Sequence, residues 1–323
     1  MPCLIPAHLE NSMPRKRSLL TGALALGLVG LASPAAHAAP HTLPAHFAAP
    51  YLELSDSSVG LMAEDMQASG VSHYTLAFLI PQNGCTPQWE AGGTPVGAYA
   101  SEIKDLQSKG GDVIISFGGA QGGELAQTCT SVEDLTAAYA NVVKTYGVNR
   151  LDFDIEGDVL GDSAANERRN QALAALQQQN PDVQVDYTLA VAPDGLPGQE
   201  MGVLQDAKAK GVNVSAVDIM AMDFGDGENA LNDALSAAKA TSGQLAGLYG
   251  ISAAEAYGRL GITPIAGKND DNETFSQDDA SKLADFASSN GVQLLAFWEV
   301  ASYDKATGYA YSKIFNQIGG GAS

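Results

Sequence analysis

The sequence predicts an α/β protein, a single-domain (β/α)8 TIM barrel following a signal peptide. Three observations predict it. Eight short apolar or alternating runs recur along the chain, each followed by a polar turn and a segment of helical spacing. No Ser/Thr/Pro-rich linker or low-complexity tract separates them into two domains. The length also fits, since one such barrel needs roughly 250 residues.

The eight runs are Ala48–Leu54, Tyr74–Ile80, Asp112–Phe117, Arg150–Ile155, Gln184–Ala192, Ala216–Met222, Gly261–Ala266 and Gln293–Val300. Between them, Val132–Tyr146 repeats apolar residues at helical period. Ser163–Gln179 stops at Asn180-Pro181, and Ser276–Ser289 opens on Ser-Gln-Asp-Asp, a cap with acids at the positive end of a helix. Strand–helix alternation requires a parallel sheet with helices outside, and eight units allow it to close. The rival is an open doubly wound sheet. No G-x-G-x-x-G follows the first strand, which counts against dinucleotide binding.

Ahead of the first run, Arg15-Lys16-Arg17 precede an apolar stretch from Leu19 to about Ala32, and Ala36-His37-Ala38 follow. That order is the pattern of a secretory signal peptide, residues 1–38, with Met13 as an alternative start. The apolar stretch falls short of the roughly 20 residues of a membrane span. The expected mature domain is 39–323, with no membrane association once the leader is cut.

The whole chain carries 17 basic and 37 acidic residues. The leader holds three of the basic and one of the acidic, so the mature part has 14 against 36, a formal charge of −22. Such a surface repels phosphate backbones and anionic lipids, so nucleic acid is not an expected partner. Cys3 falls in the leader. Cys85 and Cys129 remain, and in an oxidising compartment they are expected to pair, the alternative being two free thiols. No C-x-x-C or His/Cys cluster has zinc spacing, so no metal is expected. Nothing encodes an oligomer, and a monomer is expected.

The chemistry concentrates in Arg150-Leu151-Asp152-Phe153-Asp154-Ile155-Glu156-Gly157. Asp152, Asp154 and Glu156 alternate with Leu151, Phe153 and Ile155, so in a strand the three acids share one face. In a closed barrel that face is the interior. Crowded carboxylates push at least one pKa upward, which keeps a carboxylic acid protonated near neutral pH and able to donate its proton. Glu156 is last, hence nearest the C-terminal mouth, where barrel enzymes place their sites. The competing readings are a solvated edge strand and a metal site.

Asp152-x-Asp154-x-Glu156 on the fourth strand resembles the catalytic signature of glycoside hydrolase family 18, the chitinase family. Ser116-Phe117-Gly118-Gly119 on the third strand is similar to its Ser-x-Gly-Gly element. Met220-Ala221-Met222-Asp223-Phe224 resembles its Met-x-Tyr-Asp element, and Trp298 its subsite-floor Trp. Tyr74–Phe78 with Cys85-Thr86-Pro87-Gln88-Trp89, and Gly267-Lys268-Asn269-Asp270, resemble a secreted bacterial branch. Three positions depart from the family pattern: Asn149 and Arg150 stand where it has Asp and Gly, and Met222 where it has Tyr.

The resemblance implies a retaining, substrate-assisted hydrolysis of β-1,4-linked N-acetylglucosamine polymers, in which the acetamido oxygen is the nucleophile and no cofactor is needed. Glu156 is then the acid and base, Asp154 the partner of the acetamido N–H, and Asp152 a deeper acid sharing a proton with Asp154. Asp223, Met222, Trp298 and Phe224 are expected to bind substrate, with Tyr187 replacing the missing hydroxyl and Trp89 stacking on a neighbouring sugar. Ser116, Gly118 and Gly119 are expected as structural support. Asp226, Asn269, Asp270 and Glu273 are further candidates for the cleft. Two alternatives stay open: an endo-β-N-acetylglucosaminidase acting on N-glycan cores, and a non-catalytic chitin- or sugar-binding barrel.

Overall fold

A computed structural model describes residues 43–320 except 122, 226, 228 and 229. The leader and Asp226 lie outside the described residues. Eight parallel strands each precede a helix in sequence. They are β1 (Phe47–Ala48 continued by Tyr51–Glu53), β2 (His73–Asn83), β3 (Asp112–Gly118), β4 (Arg150–Ile155), β5 (Gln184–Ala190), β6 (Val214–Met220), β7 (Leu260–Thr263) and β8 (Leu294–Leu295). The principal helices are α1 (Leu61–Ser69), α2 (Ala100–Ser108), α3 (Val132–Tyr146), α4 (Ser163–Gln179), α5 (Gly198–Lys210), α6 (Ala230–Tyr249), α7 (Gln277–Asn290) and α8 (Ala310–Phe315).

The ring closes through β1. Phe47–Ala48 pairs with Leu294–Leu295 of β8, and Tyr51–Glu53 pairs with Thr75–Ala77 of β2. Between the two halves stands Pro50, which has no N–H to give, and its carbonyl accepts from Thr75 N at 3.0 Å. The predicted eighth run is mostly irregular past Leu295. It still tracks β7, through Ala296 N to Ile262 O at 3.1 Å and Trp298 N to Pro264 O at 2.9 Å.

The helix ends follow their sequence signals. Ser131 caps α3 by accepting from Asp134 N, Asp162 caps α4, and Ser276 with Asp279 forms a capping box on α7. Cys85 and Cys129 form a disulfide, which ties the turn after β2 to the segment before α3. Among the described residues no helix is long and apolar enough to cross a membrane.

Period-two alternation splits each strand between two environments. Outside the ring, Phe117 stacks on Phe153 with centroids 5.3 Å apart, and Tyr139 of α3 meets both rings edge-on. Tyr187 of β5 lies in register with Phe153 and belongs to this outer layer. Inside, Ser116 lies beside Asp152, Asp152 beside Asp186, Asp154 beside Thr188, and Thr188 beside Asp218.

Candidate active site

The interior is polar, and it is held by hydrogen bonds from neighbouring strands. Asp152, 2% exposed, accepts Ser116 Oγ at 2.6 Å and Tyr51 OH at 3.3 Å on Oδ2, and Thr188 Oγ1 at 2.8 Å on Oδ1. Below it, Arg150 makes a bidentate pair with Asp186, Nε to Oδ2 at 2.5 Å and one terminal nitrogen to Oδ1 at 2.9 Å. Asp218 takes Thr263 Oγ1 at 2.6 Å on Oδ2, while its buried Oδ1 has no hydrogen-bond partner. A methyl on Gly261 would stand 2.8 Å from that oxygen, so only glycine leaves the carboxyl its room.

Above this layer a cavity of about 470 Å³ opens at the C-terminal ends of the strands. Asp154 and Glu156 line it together with Met222, Asp223, Trp298 and Asp270. Burial pushes Asp154 well above the usual carboxylate range, and the negative charges of Glu156, Asp152 and Asp218 push it further. Burial also raises Glu156. The hydrogen bond with Asp154 opposes that rise, and the charge of Glu90 adds to it. Asp154 and Glu156 therefore act on each other's titration. Asp152, the expected proton-sharing partner of Asp154, has both oxygens engaged by hydroxyls.

The close approach of β3 and β4 beneath this pair depends on two glycines. Gly118 has φ 101°, and a Cβ there would stand 2.1 Å from the Asp154 carbonyl oxygen. Gly119 N donates to that same carbonyl at 3.1 Å, and a Cβ on it would meet the Phe78 ring at 2.6 Å. Phe78 and Trp298 stack at 5.6 Å and 12°, giving the cavity a flat apolar wall.

Three expected substrate contacts are not in this cavity. Tyr187 is fully buried outside the ring and donates its hydroxyl to Asn170. Its strand neighbours Asp186 and Thr188 hold the inward face instead. Trp89 is fully buried because β2 continues into a hairpin with Thr86–Trp89. There it packs on Tyr99 and Tyr146 and gives its indole N–H to Tyr146 OH at 2.8 Å. Phe224 packs against the apolar core. The chain turns at Asp223, φ 49°, whose Oδ1 accepts Asp270 N at 2.8 Å and Asp271 N at 3.3 Å. Asn269 and Glu273 are buried away from the cavity. Sequence reasoning missed Tyr51, Phe78, Glu53, Glu90, Thr188 and Thr263, all of which line it.

Residues 51–263 match the family described as Glycosyl hydrolases family 18. The chain belongs to that family. It is 34% identical over 310 residues to a protein of Escherichia coli (strain K12) named probable bifunctional chitinase/lysozyme, covering 84% of this chain and 34% of that one. It is 35% identical over 274 residues to endochitinase 11 of Metarhizium anisopliae, covering 80% of this chain and 52% of that one. The chain thus spans between a third and about half the length of these two curated relatives. The catalytic domain of a hyperthermophilic chitinase from Pyrococcus furiosus superposes with a TM-score of 0.79 at 31% identity, covering 88% of this chain and 99% of that one. A mutant form of that organism's chitinase domain, complexed with chito-oligosaccharides, superposes with a TM-score of 0.77 at 32% identity, covering 86% and 96%. The relatives reported are bacterial, fungal and archaeal. This family 18 member keeps all three acids of its fourth strand.

The buried acids set the protein's response to pH. Burial pushes Asp152 up to about 7 from 3.8, and Asp65 up to about 6. An acid whose folded pKa is raised contributes stability that is complete below its unfolded pKa and is lost as pH rises through the folded value. For the fully buried Asp152 the loss between pH 4 and 7 is on the order of 4 kcal/mol. The melting temperature should therefore fall by at least ~5 °C between pH 5 and pH 8. A flat or rising trend in a thermal scan across that range would contradict these shifts.

Proposed function

We propose that the protein is a secreted chitinase that hydrolyses β-1,4-linked N-acetylglucosamine polymers with retention, using the substrate's acetamido group as nucleophile. The observation that carries the reading is the placement of Asp154 and Glu156 together on a cavity walled by Trp298 and Phe78. Glu156 protonates the leaving glycosidic oxygen and then activates water. The free Oδ1 of Asp154 accepts the acetamido N–H and stabilises the charge of the ring-closed intermediate. Asp152, fixed by Ser116, Thr188 and Tyr51, holds the strand's lower carboxyl in place beneath Asp154. Trp298 carries the sugar ring, and Asp223 and Met222 line the same cavity. Chito-oligosaccharide in the superposed Pyrococcus domain and the chitinase names of the relatives support the substrate.

Export belongs to the same reading. The basic and apolar order of residues 15–38 supports it, as does the Cys85–Cys129 disulfide. The exported product should begin at Ala39 by N-terminal sequencing. An unprocessed product outside the cell would contradict the leader.

The substrate is tested with paired fluorogenic glycosides. The protein should release fluorophore from N,N′-diacetylchitobioside and at least a hundredfold less from cellobioside, which lacks the acetamido nucleophile. Equal turnover of the two would sink the substrate-assisted mechanism. Turnover of neither, with cleavage of a high-mannose glycopeptide, would move the substrate to the N-glycan core.

A further inference from the structure

Two loops meet at the cavity and are fastened to each other by a pair of aspartates. One is the turn after β6, where Asp223 stands at φ 49° and Gly225 at φ 72°. The other is the hairpin after β7, in which Gly267–Lys268 pairs antiparallel with Thr274–Phe275. The root of the hairpin is fixed, since Ala266 N donates to Trp298 O at 2.9 Å and Tyr311 OH donates to Phe275 O at 2.7 Å. Its tip reaches across to the turn after β6. There Asp223 Oδ1 accepts Asp270 N and Asp271 N, and Asp271 returns the contact by accepting Gly225 N at 2.8 Å on Oδ2. The other oxygen of Asp271 accepts Glu273 N at 2.9 Å, which holds the side chain to its own hairpin. Hydrogen bonds thus run in both directions between residues 46 to 48 apart in the chain.

Asp223 and Asp270 line the cavity, and Asp271 does not. A side chain at positive φ persists where its surroundings over-determine it, and aspartate tolerates that region better than most. The bond from Gly225 N to Asp271 holds the turn two residues beyond Asp223, while the two N–H groups on Oδ1 keep the Asp223 carboxylate from rotating. Its Oδ2 has no hydrogen-bond partner among the described residues. An acceptor fixed in this way takes an N–H or O–H of a sugar without first losing rotamer freedom. We propose that Asp271 is a positioning residue for the substrate: it does not touch the sugar, and it holds Asp223 so that Oδ2 stands ready as an acceptor in the cleft. The inference rests on the reading of this cavity as a chitinase cleft and adds to it a residue outside the cleft on which substrate affinity depends.

The test is a double-mutant cycle read by turnover of the fluorogenic chitobioside, with amide hydrogen exchange on the same proteins. Asp271→Ala is expected to lower kcat/KM by about tenfold or more, mostly as a rise in KM, because the order it removes belongs to binding rather than to bond breaking. Asp271→Asn keeps one acceptor oxygen, and its loss should be smaller. Asp223→Asn keeps an oxygen for the two backbone N–H groups and puts an amide nitrogen in place of Oδ2, so it removes the acceptor directly. Asp271→Ala added to Asp223→Asn should then cost no more than about twofold further. Equal losses in both backgrounds, or no loss from Asp271→Ala alone, overturn the positioning role and leave the chitinase reading intact. Amides of residues 221–225 and 267–275 should exchange faster in Asp271→Ala, while those of β3 and β4 stay as slow as in the native protein. Faster exchange through every strand marks a misfolded variant, and Asp271→Asn then takes its place in the cycle. Unchanged exchange in the two loops overturns the clasp whatever the substrate. If the native protein leaves the chitobioside uncut, the chitinase reading fails, and exchange alone decides the clasp.

Discussion

Glu156→Gln is expected to lower turnover of the chitobioside by a hundredfold or more, with little change in the affinity for substrate. The glutamine keeps the shape and a hydrogen-bonding contact with Asp154 but has no proton to give and cannot later take one from water. The effect should appear in kcat, because the contact it removes is made only as the glycosidic bond breaks. The pH profile adds a second check. Burial raises Glu156, so the acid form persists further toward neutral than in a free side chain, and activity should decline on the alkaline side as that proton is lost. Equal activity in both proteins would mean that another carboxyl of the cavity is the acid.

Arg150→Ala is expected to cost about 3–5 kcal/mol of stability, or on the order of 10 °C in melting temperature. Arg150 and Asp186 are 3% and 1% exposed, and the guanidinium also reaches Gln184, Gln293 and the Phe47 ring. Removing it leaves a carboxylate deep in the barrel without its counter-charge. Burial already raises Asp186 and Arg150 lowers it, so the variant's Asp186 should hold a proton to higher pH. Its deficit should then be small at about pH 4 and full above neutrality. A uniform deficit across that range would assign the loss to packing rather than charge.

The sequence made the fourth strand legible because its alternation is strict. The parity that places Asp152, Asp154 and Glu156 inside also places Arg150 there, at the position where the family pattern has glycine. The same rule applied to β5 selects Asp186 and Thr188 for the interior and sends Tyr187 outward with Val185 and Leu189. The position of Tyr187 in the alternation, not its hydroxyl, decides its neighbour. The place of Trp89 likewise follows from the path of the chain. Asn83-Gly84 is a hairpin signal, and a strand that folds back carries the next aromatic into the core. Glu53, Glu90, Phe78 and Thr263 meet only across four different strands or loops, and no local pattern encodes that meeting. Pairings set by closure of the ring, such as Tyr51 with Asp152, are legible only once the barrel is built.

Closure also sets an order in time. β1 is bonded on one side to β2, its near neighbour in the chain, and on the other to β8. His46 Nδ1 sits 2.8 Å from Val292 O across a sequence separation of 246 residues. As the chain leaves the ribosome, β1 through β7 can pair in succession, but the last seam stays open until Leu294–Leu295 emerges. Until then the edges of β1 and β7 lack their final neighbour, and the Asp152–Tyr51–Thr188 network has nothing to hold its outer side shut. The contacts of longest range, which form most slowly, are thus the ones that lock the barrel. A closed ring therefore cannot form before the final tenth of the sequence is made.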